Sequence, residues 1–293
     1  MLNRRVGPCM GFTLVELLIG LVLSAIVGAA TLTLTVHHER LARALDRVLL
    51  TRRAVREGAD ALHYDLRALA PKREAIYEMG ESFVDFRLTT GFSVICAVDP
   101  THAVVSIPSR DSASSSLTSW IVAPDPGDTV MVLLPATNPD SAVWSLSVLA
   151  AAPVRGRPCP SAFADGGDST AALVLRLTTA LPSSVGAGAA IRIVRRARYE
   201  IYRASDGAWY LGFVDCLGTR AAPCATIQPV AGPYAARGIQ FRFLDSAGSP
   251  TATPSHVARI DVSMRSLTTL GPRIPGLTSV FTDSVLFTIT PRD

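Results

Sequence analysis

Two hydrophobic regimes divide the chain. From Leu17 to Val36 twenty residues pass without a charge, enough at about 1.5 Å per residue to cross a hydrocarbon core of about 30 Å as one helix. Beyond Val36 the pattern becomes amphipathic. Leu41, Leu45, Val48, Leu49, Val55, Leu62, Leu66 and Leu69 recur at spacings that share one helical face, while Arg40, Arg43, Arg47, Arg52 and Arg56 lie mostly on the other. A long helix is therefore predicted from Phe12 to Ala70, with Gly58 as a point of bending and Pro71 as its stop.

After Pro71 the periodicity changes. Short runs rich in branched and aromatic residues, Phe83–Leu88, Phe92–Val98, Ala103–Ile107, Thr129–Leu134, Val143–Ala150 and Ala172–Leu177, read as strands, with another around Trp120. They are separated by breakers such as Pro124, Pro126 and Gly127 and by the polar stretch Asp111–Ser116. Strict alternation follows: Ile239, Phe241 and Phe243 against Gln240 and Arg242, then Ile260, Val262 and Met264 against Asp261 and Ser263. Arg198–Phe213 predicts a hairpin around Asp206 and Gly207. The expected fold class is α+β, a long N-terminal helix packed on a mainly antiparallel β domain. Its predicted parts are a leader over 1–11, a transmembrane helix over 12–36, an amphipathic continuation over 37–70 and a β-rich globular domain over 71–293.

Charge sharpens this picture at one residue. Glu16 stands at the head of the apolar run, where an ionised side chain costs about 3 kcal/mol on insertion scales and normally marks a pairing site. The preceding MLNRRVGPCMG carries Arg4 and Arg5 but has no apolar stretch suited to an ordinary secretory signal. Cleavage after Gly11 would keep the apolar helix and create an amine on Phe12, one helical turn before Glu16. That amine could meet its own Glu16 or that of a neighbouring subunit. Gly20, Ser24 and Gly28 form a small-residue stripe, open to two readings: close approach of another helix, or the ordinary tolerance of membrane helices for small residues.

At these residues the chain resembles the type IV pilin and pseudopilin family, whose members share a short basic leader, a Gly-Phe-Thr-Leu cleavage site and an acid at the offset of Glu16. The resemblance implies that a prepilin peptidase cuts between Gly11 and Phe12, that Phe12 becomes N-methylated, and that Glu16 is the assembly carboxylate. It implies a pilin-like fold anchored in the bacterial inner membrane with its β domain in the periplasm. Other pilins or pseudopilins would be its partners, packed against Leu14, Val15, Leu17, Leu18 and Ile19. Major pilins often carry proline where this chain has Thr33, and Met10 replaces the basic residue common before the cleavage glycine. The first departure favours a minor pilin or pseudopilin, and the order of the C-terminal strands resembles the PilW-like and J-type members. The implied role is as a structural subunit of a type II secretion pseudopilus or a type IV pilus tip. A membrane-tethered binding module or adhesin that displays its β domain without polymerising is the alternative.

Other chemistry is sparse. The net charge of +4 and pI near 9.0 are too small and dispersed an excess to argue nucleic-acid binding. Arginines flank the apolar run on both sides, so charge bias leaves orientation open. Without Cys9, the even set Cys96, Cys159, Cys216 and Cys224 suits an oxidising compartment. Cys216 and Cys224 bracket a turn-like segment and are the preferred pair, with Cys96 and Cys159 left by elimination; four reduced thiols are the other reading. His37, His38, His63, His102 and His256 show no HExxH or zinc spacing, and neither a GxSxG nor a phosphate loop occurs. No catalytic residue, metal or cofactor is expected. Asp165-Gly-Gly-Asp168 reads as a solvated turn rather than a calcium loop. Tyr199, Tyr202, Trp209 and Tyr210 read as hairpin packing rather than a binding surface.

Overall fold

The computed structural model describes residues 13–69, 75–99, 101, 103–109, 117–135, 143–163, 171–216, 226–269 and 280–291. Gly11, Phe12, Asp165, Asp168 and Cys224 lie outside them. The apolar and amphipathic stretches form one uninterrupted helix, α1 (Leu14–Arg67). The chain divides into two compact units. The smaller comprises residues up to Leu50 together with Thr268–Thr282. Within it Ala44 is buried, and Arg47 donates from Nη1 to the carbonyl of Thr269 at 2.9 Å. Leu45 and Leu49, predicted on the packed face, are exposed.

The larger unit holds Thr51–Leu267 and Asp283–Asp293. Its main sheet runs in the order β1 (Ile76–Gly80), β2 (Phe83–Val94), β10 (Ala190–Arg203), β11 (Trp209–Cys216) and β12 (Ile227–Tyr234). Three shorter strands extend it: β5 (Ser119–Trp120) on β2, β6 (Thr129–Leu133) on β10, and β7 (Trp144–Val148) on β6. A second sheet orders β3 (Ala97–Asp99), β4 (Val104–Ile107), β9 (Ala171–Arg176) and β8 (Val154–Pro158), and a third orders β13 (Ile239–Leu244), β14 (Arg259–Thr269) and β15 (Val280–Ile289). The pairings within the first two sheets, and of β13 with β14, are antiparallel.

Strand β10 organises this unit, because side chains two apart share a face of a sheet. Its residues Ile191 and Ile193 enter a core with Val105, Ile107, Val130, Val132 and Leu175. Farther along, Ala197 and Tyr199 enter a second core, where Val55, Leu62 and Leu66 of α1 meet Phe86, Leu211, Phe241 and Ile260. Arg195 falls between them on the same face. It is buried, gripping Asp128 through Nε at 2.7 Å and Nη2 at 2.9 Å and reaching Asp215 through Nη1 at 2.9 Å. A forked guanidinium on carboxylates is the pairing that makes such burial tolerable, since either charge left alone would be costly. These hydrogen bonds hold the Arg195 guanidinium's pKa above its ordinary value.

α1 continues through Gly58 without interruption. A side chain there would run into the Tyr234 hydroxyl and come within 2.6 Å of the Met264 methyl group, so the glycine lets helix and strands approach closely. Phe83–Leu88 and Phe92–Val98 were expected as separate strands, but β2 runs through the gap. Thr90 is the extra residue of a bulge, since Ile193 pairs with Gly91 and Val194 with Thr89. Its hydroxyl donates to the Ile193 carbonyl at 3.1 Å, which lets a buried polar residue sit in the strand. The Asp206–Gly207 hairpin is present, with Arg203 opposite Trp209 and Gly207 at φ +81°.

Candidate functional site

The first turn of α1 is built by its own side chains. Thr13 precedes the helix and its Oγ1 accepts from the Glu16 backbone N–H at 3.3 Å; Glu16 Oε2 in turn accepts from the Thr13 N–H at 3.1 Å and from its hydroxyl at 3.0 Å. This reciprocal arrangement is a capping box, which satisfies amides the helix cannot. The carboxylate also lies at the positive end of the helix dipole. The Thr-x-x-Glu spacing that specifies the box was present in the sequence, yet Glu16 read there only as an assembly group and Thr13 as part of a cleavage motif.

From Thr13 to Arg40 every residue is exposed in the single chain. Leu14, Val15, Leu17, Leu18 and Ile19, the residues expected to pack against sibling helices, are all open, and so is Ser24. A side chain at Gly20 or Gly28 would meet nothing within 4 Å, so the small-residue stripe is free along its length. The segment is long and apolar enough to span a membrane. Its threonines do not disturb that character. Thr31 donates to the carbonyl of Val27, Thr33 to Ala29 at 2.8 Å and Thr35 to Thr31 at 2.9 Å, so each hydroxyl is satisfied within the helix. A continuous apolar surface of this kind is unfavourable in water.

The amphipathic half is anchored differently. Asp65 accepts from the Tyr199 hydroxyl at 2.6 Å, and Tyr234 donates to the Ala54 carbonyl at 2.7 Å, so two tyrosines fasten the helix to β10 and β12. Burial raises the Asp65 carboxyl above its ordinary value despite the opposing hydrogen bond from Tyr199. Burial also raises both tyrosines.

Of the four cysteines, Cys96 and Cys159 form a disulfide with Cα atoms 5.6 Å apart, the pairing reached by elimination. Cys216 ends β11, and its preferred partner Cys224 lies outside the described residues. Among the described residues no group of three or more metal-ligating side chains converges. The hairpin aromatics behave as packing groups. Tyr199 stacks with Phe86 at 5.6 Å and tilts against Phe213 at 5.2 Å, and Tyr202 lies 6.2 Å from Tyr210. No protein-family model, curated protein or solved structure matches the chain.

Proposed function

We propose that the protein is a minor pilin or pseudopilin, a noncatalytic subunit whose N-terminal helix joins sibling helices in a type II secretion pseudopilus or at a type IV pilus tip. The observation that carries this reading is the bare apolar helix headed by a single acid. Cleavage after Gly11 would free the Phe12 amine, and a staggered neighbour would bring that amine to Glu16 within the apolar layer. There the pair gains because leaving either charge alone costs several kcal/mol. The β-rich domain, on the periplasmic side of the inner membrane before assembly, would select which subunits stand beside it.

The capping box favours a second reading, a tethered binding module or adhesin that does not polymerise. Thr13 already gives Glu16 local hydrogen bonds, so the acid has a structural use without any sibling. Substitutions separate the two because capping and charge are separable. Glutamine can fill the same position of a capping box, whereas only glutamate can neutralise an amine. On the assembly reading, Glu16→Gln keeps membrane insertion but loses incorporation into sheared filaments by at least about tenfold, while Thr13→Val retains it. Normal incorporation of Glu16→Gln would leave capping as the sole role of the acid and refute charge pairing.

A further inference from the structure

Across the main sheet, Ser119, Phe92, Arg192, Met131 and Leu146 are successive cross-strand partners in β5, β2, β10, β6 and β7. Directly paired residues leave a sheet on the same side. The neighbouring pairs Ile191 with Val132 and Ile193 with Val130 enter a core, so the Arg192 row points to the opposite, outer face. There Phe92 and Leu146 remain 51% and 52% exposed on either side of Met131, which is buried.

The cation in this surface is set apart from its neighbours. Arg195 holds Asp128 and Asp215, Arg196 holds Asp85 at 2.6 Å, and Arg198 lies 3.0 Å from Glu200. Arg192 is exposed and rests over the Trp144 ring, 4.9 Å from its centroid, with no carboxylate partner among the described residues. Contact with the ring restrains the guanidinium, which lowers the entropy lost when an acid binds. Arginine beside tryptophan and phenylalanine is also the composition found at the centres of protein interfaces.

We propose that this face docks a partner protein segment that presents a carboxylate flanked by aliphatic side chains. The aliphatic groups would cover Phe92 and Leu146, and the carboxylate would take the open edge of Arg192 as a paired hydrogen-bond acceptor. The charge complementarity identifies the partner's chemistry, and the proposal stands apart from how the N-terminal helix is used.

Random peptides displayed on phage, panned against the full chain in lipid nanodiscs with Leu146→Asp as counter-selection, test it. The expected peptides carry Asp or Glu among Leu, Ile or Val. Their affinity falls about tenfold or more with Arg192→Gln, within the range for a central interface residue. Replacing the peptide's acid by its amide should give the same loss and make Arg192→Gln silent, the signature of direct coupling. Both substitutions are at exposed positions, and circular dichroism of each variant should match the parent. Recovery of peptides without an acid, equal binding to Arg192→Gln, or failure to recover any peptide that discriminates against Leu146→Asp would overturn the proposal. Self-association of the full chain that Leu146→Asp abolishes would overturn it in favour of a contact between copies.

Discussion

Replacing Gly58 by alanine sets helix propensity against packing, and the structure decides which wins. In an exposed helix the change would stabilise by about 1 kcal/mol, because glycine loses more backbone freedom on folding. Here the new methyl group would collide with the Tyr234 hydroxyl and lie 2.6 Å from the Met264 methyl group, well inside the optimum of about 3.5 Å. Met264 can swing aside at little cost. Tyr234 cannot, since its ring is buried and its hydroxyl is committed to the Ala54 carbonyl at 2.7 Å. Displacing it costs about 1–3 kcal/mol for the stranded polar groups, and crowding adds about 1–3 kcal/mol. After the propensity gain, Gly58→Ala should lose about 1–5 kcal/mol, read from urea unfolding of the full chain in mild detergent by tryptophan fluorescence. In a Tyr234→Phe background, which lacks the obstructing oxygen, the loss should shrink by at least about 1 kcal/mol. A Gly58→Ala protein as stable as the parent would refute the reasoning.

Asp65 should make stability fall as pH rises. Its folded pKa is raised, so the folded state holds the proton more tightly. The resulting stabilisation is full below the ordinary value of about 3.9 and is lost as pH climbs through the folded value. Asp65→Asn can still accept from Tyr199 and should flatten urea midpoints across that window; an unchanged pH profile would count against a buried carboxyl. The Cys96–Cys159 bond spans a sequence separation of 63 residues, for which loop entropy gives about 4 kcal/mol. The double serine variant should lower the urea midpoint accordingly and make it insensitive to reductant, whereas an unshifted midpoint would deny the crosslink a stabilising role.

Legibility followed periodicity. The uncharged run to Val36 and the buried Val55, Leu62 and Leu66 were readable because a helix exposes its spacing directly, as were the alternating strands β13 and β14. Strand β12, IQPVAGPY, escaped notice because its prolines and glycine argue against a strand until β11 is there to pair with it. Thr89–Gly91 looked like a break for a related reason, since a bulge and a turn use the same residues. Gly58 showed only as a weakness in the helix, because the tyrosine that requires it lies 176 residues later. At the candidate site the apolar helix and its acid were plain. The outer row at Arg192 was hidden, because strand register is set between segments and not within them.

Intact-mass and N-terminal sequencing of the protein recovered from its native membranes would test the proposed role most directly. The account predicts a polypeptide that begins at an N-methylated Phe12. A functional protein that still carries Met1–Gly11 would contradict it, because no amine would then exist for Glu16 to meet.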